Sequence, residues 1–384
     1  MFRLCCCFLG LILYLPTVAP GQTAPSPAAE PPNPTLQLRP PPKPPKPPSP
    51  ITPEGRIHLD VGVSDGSGKP RTDLLPPDFT ILDNGQPRKI LSFHGYDGVN
   101  AKPDPPVEVI LLMDSVNLPF QQTSFVRQEI TRFLRQNGGK LAQPVSIMLL
   151  SDAGLRVQPR PSVDGNALVT VLDQVKGAVH SINSAMGAGG DLQRFQLSLH
   201  QLTAIAENQA DKPGRKLLVW VGPGWPMLVG DNYAFTARDQ RGYFDAIVEL
   251  SNKMREARMV LYSVSPASGG DGGVARDFMY QDFLKGVPTV KKADTGNLAL
   301  KVLALHSGGR VLGPDNDVAG QINDCIADAN AFYRLSFNPQ PAEHANEYHD
   351  LKVVVAQPGL TVRTTSGYYG QPAASPATDL SPVR

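Results

Sequence analysis

The stretch Val107-Glu108-Val109-Ile110-Leu111-Leu112-Met113-Asp114-Ser115-Val116-Asn117-Leu118 decides how the rest of the chain is read. Its apolar run is too long for a strand that shows one face to water, and it ends in a carboxylate and short polar residues. Similar runs follow at Val145 to Leu150, Leu217 to Val221 and Met259 to Val264. Between them, apolar residues recur at near-helical spacing: Phe125, Ile130, Phe133 and Leu134, then Leu168, Val171, Leu172 and Val175, then Leu197, Leu199, Leu202 and Ile205. Strands without alternation, each followed by an amphipathic helix, predict an α/β domain over residues 106–313 with a doubly wound, mostly parallel sheet. Ligands of such sheets bind beyond the carboxyl ends of the strands. The loops after Met113, Leu150, Val221 and Val264 are therefore the places to look for a site.

Outward from this domain, the pattern changes on both sides. From Arg56 to Tyr96 the signals are short and alternating: Ile57, Leu59, Val61 and Val63 interleave with His58, Asp60, Gly62 and Ser64, the period-two pattern of a half-buried strand. Phe79 to Leu82 and Arg88 to Phe93 flank Asn84-Gly85, a pair that tolerates positive φ, and predict a hairpin. Residues 54–98 are too few to hold a large core alone. A C-terminal helix and β segment at 317–370, with strands at Tyr333 to Phe337, Leu351 to Val355 and Leu360 to Thr364, is expected to join them in a small β-sandwich-like module. Residues 371–384 have the composition of a disordered tail.

The composition bounds the function. The chain has 384 residues, and 36 Lys+Arg against 35 Asp+Glu leave a net charge of +1, without the basic face of a nucleic-acid binder. Met1-Phe2-Arg3 and the apolar run from Leu4 to Leu15 have the form of a secretory signal peptide over residues 1–21. No later run is long enough to be a transmembrane span. Proline dominates residues 22–53, which read as a stiff polyproline II spacer or linker. Of the four cysteines, Cys5, Cys6 and Cys7 fall inside the leader and Cys325 stays behind on a predicted helix, without a disulfide partner. Export to a bacterial periplasm or cell surface is the expected localisation.

At the first loop the sequence resembles a known family. A strand ending in Asp114 and followed by a helix is similar to a von Willebrand factor type A domain, whose metal-ion-dependent adhesion site begins Asp-x-Ser-x-Ser at this position. The stretches from Asp60 to Phe93, and Tyr333 to Phe337, His349 to Val353 and Arg363 to Tyr369, resemble the corresponding blocks of the exported VWFA-related proteins of acidobacteria. Together the likeness covers residues 54–370. It implies a von Willebrand A-like fold and a cation site for Mg²⁺, Ca²⁺ or Mn²⁺ formed by Asp114, Asn117 and Asp191. The motif is degenerate: Val116 and Leu118 replace the two serines, and Gly222-Pro223-Gly224 stands where the family has a carboxylate. Asp191, after the glycine-rich Gly187-Ala188-Gly189-Gly190, would compensate. The alternative for Asp114 needs no metal: a carboxylate here can cap the following helix or bind loop N–H groups.

Other chemistry is thinly represented. His344, His349 and Asp350 cluster in sequence but in a stretch expected to be an exposed hairpin connection, with no spacing that holds both imidazoles on a metal. The first strand is followed by no glycine fingerprint for a dinucleotide, and the run Gly269 to Gly273 lacks a P-loop ending. A nucleophile elbow is absent. Trp225, Met227 and Leu228 place apolar side chains in a loop at the ligand face, where they either contact a protein partner or fold inward. The reading that results is a non-enzymatic, exported protein-interaction module binding an unknown protein ligand through a degenerate site. The alternatives are a divalent-metal-dependent hydrolase using Asp114 and Asp191, and a structural envelope component with a vestigial site.

Overall fold

The run Val109 to Met113 carries no polar residue because both faces of its strand are covered by helices. The computed structural model describes residues 37–38, 55–174, 187–228, 233, 235–267 and 279–372. The expected leader, most of the proline-rich linker, Val175, the glycine run at 269–273 and the end of the tail lie outside them. In chain order the strands are β1 (Gln37–Leu38), β2 (Ile57–Ser64), β3 (Phe79–Asp83), β4 (Gln86–Arg88), β5 (Ser92–Tyr96), β6 (Glu108–Asp114), β7 (Lys140–Ser151) and β8 (Gly154–Val157). They continue with β9 (Ser162–Asp164), β10 (Lys216–Val221), β11 (Met259–Pro266), β12 (Val311–Asp315), β13 (Phe332–Phe337), β14 (Glu347–Val355), β15 (Thr361–Arg363) and β16 (Gly367–Gly370). The helices are α1 (Phe120–Leu134), α2 (Gly165–Asp173), α3 (Gly187–Ala210), α4 (Ala237–Glu256), α5 (Leu300–His306) and α6 (Val318–Asn330).

The molecule is mixed α/β, with one mostly parallel sheet and two antiparallel ones. The large sheet runs β1-β8-β7-β6-β10-β11-β12, with β9 on β7. β7, β6, β10, β11 and β12 are parallel, and β8 turns back antiparallel on β7. The chain moves from β6 to β7 on one side and then returns past β6 to β10 on the other. The strand order therefore reverses between β6 and β10, and in open α/β sheets ligands bind beyond the carboxyl ends at such a point.

Alternate residues of the central strands serve opposite faces. Ile110, Leu112, Leu218 and Trp220 pack with Phe195, Leu202 and Ile205 of α3, Phe244 and Leu250 of α4 and Leu300 of α5. Val109, Leu111, Met113 and Val219 pack with Val126 and Ile130 of α1, Leu168 of α2 and Ile322 and Cys325 of α6. Each such fully buried side chain is worth roughly 1.5–3 kcal/mol of transfer free energy. The helix starts are written locally: the Asp164 carboxylate accepts from the Asn166 and Ala167 N–H groups at 2.9 and 3.1 Å, and Thr236 and Asp239 form a capping box on α4.

The two antiparallel sheets, β15-β2-β13-β5 and β16-β14-β3-β4, draw strands from both ends of the described chain. β13 lies between β2 and β5, with Leu335 opposite Leu59 on one side and Phe93 on the other. Ile57, Leu59, Val61, Phe79, Ile81, Tyr333, Leu335, Phe337, Leu351 and Val353 form their shared core. Asn84 and Gly85, at φ 50° and 75°, close the β3–β4 hairpin, but its return strand is Gln86–Arg88 and not Arg88 to Phe93, because the chain then crosses to pair β5 with β13 in the other sheet.

Two local expectations are corrected. The glycine-rich stretch 187–191, which the family resemblance sets in a loop before a helix, is itself the first turn of α3. The residues 344–350 do not form a wholly exposed connection, because β14 starts at Glu347 and turns His349 inward, where it is 3% exposed. The alternation of His349, Leu351 and Val353 continues the strand one turn of the pleat earlier than the apolar residues alone indicated.

Candidate functional site

Asp114 ends β6 on the face of Ile110 and Leu112, and is fully buried. Its Oδ1 accepts from the backbone N–H groups of Val116 at 3.1 Å and Asn117 at 3.0 Å. Its Oδ2 accepts from Asn117 Nδ2 and from Trp220 Nε1, each at 2.8 Å. The Trp220 bond follows from register: Trp220 stands beside Leu112 in the parallel pair β6–β10, so its indole reaches up the strand to the carboxylate. Gly222 completes the enclosure, since a Cβ there would lie 2.8 Å from the Asp114 Cβ. Burial pushes the Asp114 pKa up, against the pull of the Asn117, Trp220 and Val116 hydrogen bonds.

A carboxylate has about four lone-pair positions, and here four N–H donors fill them. Of the two alternatives for Asp114 without a metal, loop binding is the one present; α1 begins only at Phe120, and no side chain caps it. Val116 and Leu118 are buried among apolar residues. Ser115 Oγ and Asn117 Oδ1 are buried without a protein partner. Two neutral oxygens beside a carboxylate already saturated by N–H groups do not fit a hard divalent cation, which needs about six oxygen ligands. Among the described residues no group of three His, Cys, Asp or Glu side chains is placed to hold a metal.

Asn117 is joined to α3 as well, through Nδ2 to Ser198 Oγ at 3.0 Å. Asp191 lies two turns before Ser198, roughly 10 Å along the helix axis. Its carboxylate is paired with Arg194 and accepts from Tyr233 Oη at 3.1 Å. No hydrogen bond or ion pair joins it to Asp114. Asp114 and Asn117 are thus brought together as the motif implies, and Asp191 serves a separate cluster at the start of α3.

The apolar loop residues are a correction. Trp225 and Leu228 turn inward and are 3% and 0% exposed, leaving Met227 half-buried. Trp225 packs edge-on against Trp220 with ring centroids 5.2 Å apart, and its Nε1 donates to the Leu298 carbonyl at 3.0 Å. Burial takes the indole N–H out of water, and the Leu298 carbonyl supplies the acceptor it then needs. Trp220 itself was not singled out from the sequence, because an apolar strand run does not reveal which of its members reaches a polar group.

The histidine cluster also resolves differently. His349 Nδ1 lies 2.9 Å from Asp83 Oδ1 and 3.0 Å from Tyr368 Oη, a buried polar group inside the small β sheets, while His344 is exposed. A recess lies between α4, α5 and the last strands. Its lining includes Met254, Val287, Leu303 and His306, and the ring of His306 is held by Ser366 Oγ at 2.5 Å. Burial lowers the His306 pKa.

No protein-family model matches the chain, and no curated protein sequence matches it. Among solved structures it is similar to the crystal structure of the pilus adhesin SpaC from Lactobacillus rhamnosus GG, at 10% sequence identity and a TM-score of 0.35. The likeness covers 79% of this chain and 49% of that one, so the chain spans about half the length of that adhesin. No described helix is long and apolar enough to cross a membrane.

Proposed function

We propose that the chain is an exported protein-interaction module built on a von Willebrand A-like domain, whose adhesion-type site at the carboxyl end of β6 is degenerate and works without a cation. The observation that carries this reading is the Asp114 cage. The leading carboxylate of the motif sits at the point where the strand order reverses, and N–H groups from Val116, Asn117 and Trp220 occupy the positions a cation would take. The apolar leader sequence from Leu4 to Leu15 supports export, and the proline-rich stretch after it supports a domain held away from its point of attachment.

The test is a pull-down of envelope proteins with the full chain, with and without a chelator, beside calorimetric titration of Mg²⁺, Mn²⁺ and Ca²⁺. The expected result is a partner retained equally in both conditions and no saturable heat from any cation. A partner lost on chelation would restore a working cation site, and no partner in either condition would remove the interaction reading.

A further inference from the structure

One edge of the large sheet is occupied by two residues of the proline-rich stretch. Gln37 and Leu38 pair antiparallel with β8, Gln37 opposite Val157 and Leu38 opposite Arg156. Without them β8 is the last strand on that side. Alternation tells which groups of β8 face outward. The Gln158 N–H donates to the Ile147 carbonyl at 3.0 Å, toward β7. Val157 and Leu155 therefore turn their N–H and C=O away from β7, as neighbours in an antiparallel strand must.

The sequence around Gln37 is built for such an edge. Thr35-Leu36-Gln37-Leu38-Arg39 is the longest proline-free run between Pro20 and Pro53, with leucine at alternate positions and prolines at 34 and 40. Proline cannot donate to a ladder, so a strand signal inside this stretch is confined to those five residues. β8 has the matching limit, since Pro159 follows Gln158.

We propose that the outer edge of β8 is a strand-acceptor site for an extended segment of another polypeptide, with apolar residues at alternate positions and no proline over five residues, and that Gln37–Leu38 is its tethered, displaceable occupant. The occupant displays the chemistry that the edge accepts. It is also weakly held, because a two-residue ladder has a single hydrogen-bonded pair, Gln37 with Val157, and each bond in it is worth about 1 kcal/mol net. A five-residue partner strand in the same register would reach the outward groups of Leu155 as well. Main-chain bonds would then give affinity, and the alternate side chains specificity. The tether competes intramolecularly, at an effective concentration set by the length and stiffness of the chain that joins it to β2, so a partner must exceed it to displace the segment. This proposal needs neither Asp114 nor a von Willebrand A-like domain, and stands or falls apart from them.

Two prolines one residue apart test it by amide hydrogen exchange on the full chain. Gln37→Pro removes the N–H that faces Val157, whereas Leu38→Pro replaces one that faces away from β8. The Val157 amide should exchange at least tenfold faster in Gln37→Pro and stay protected in Leu38→Pro. The Arg156 amide, which faces β7, should be unchanged in both and controls for unfolding. A blocked peptide with the sequence of residues 35–39, added to the Gln37→Pro chain, should restore protection at Val157; the same peptide with proline at its third position should not. Equal Val157 exchange in the wild type and Gln37→Pro would overturn the proposal, as would a peptide that fails to restore protection at millimolar concentration. Protection in the wild type that grows with chain concentration, alongside a doubled mass, would also overturn it by assigning the edge to a second copy.

Discussion

Asp114 gathers four N–H donors onto one buried carboxylate, and each donor depends on it in return. Truncation to alanine would remove the acceptor of one Asn117 amide N–H, of the Trp220 indole N–H and of two backbone N–H groups, while Asn117 keeps its bond to Ser198. One such group costs about 1–3 kcal/mol, so Asp114→Ala should lose roughly 3 kcal/mol or more in urea unfolding, with the same loss in Mg²⁺ as in chelator. Its pH dependence has a definite sign. The folded carboxyl pKa is raised, so the folded state holds this proton to higher pH than the unfolded chain does. The contribution is complete below the ordinary carboxyl value near pH 4 and is lost as pH rises through the folded value. Comparison of unfolding midpoints for the wild type and Asp114→Asn across that range should show the wild type losing ground as pH rises. The opposite slope would mean that the four hydrogen bonds outweigh burial.

At the scale of elements, charged pairs tie the antiparallel sheets to the parallel one. Asp60 of β2 holds both of its oxygens 2.7 Å from Arg258 Nη2, and Arg334 and Arg215 lie at 3.5 and 3.8 Å. Asp328 of α6 is paired by Arg363 of β15 and accepts from Tyr262 Oη of β11 at 2.9 Å. Burial alone would raise the Asp328 pKa, but the Arg363 pair brings it below the usual range. Removing one member of a buried pair leaves the other charge uncompensated, at a cost of roughly 3–5 kcal/mol. Asp60→Ala should show a loss of that order in urea unfolding, while the double substitution with Arg258→Met recovers part of it. A loss below about 1 kcal/mol would demote the cluster to an ordinary surface pair. None of this was visible in the chain order, because Asp60, Asp328 and Arg363 come from three separate blocks that only the fold assembles.

Across the whole molecule, the sheets built from both chain ends and the domain between them should unfold together. Both tryptophans of the chain, Trp220 and Trp225, lie in the core of the α/β domain, so fluorescence reports on that part alone. Far-UV circular dichroism reports on all strands and helices. The two signals should give coincident transitions in urea, since β13 follows directly on α6 and the Asp60 and Asp328 clusters bridge the sheets. Separate midpoints would show that the antiparallel sheets unfold alone.

Period and turn chemistry are properties of neighbouring residues, and they were legible. The apolar runs at Val109 and Leu217, the alternation from Ile57 to Val63 and the Asn84-Gly85 turn each wrote their element directly into the chain. The short strands β8, β9 and β12 were not, because a few residues between turns carry no period. The site divided along the same line: Asp114 at the end of a buried strand could be found from sequence. Three of the N–H groups that its oxygens meet belong to the neighbouring Val116 and Asn117. The fourth, from Trp220, and the Ser198 hydroxyl that holds Asn117 come from a strand and a helix far along the chain, which only tertiary structure brings there. Trp225 illustrates the same limit, since an apolar residue in a loop is a partner surface or a core residue according to what lies beneath it. Local sequence determined the elements and where a site would sit; long-range packing determined which polar groups were left to face water, and so what the site can bind.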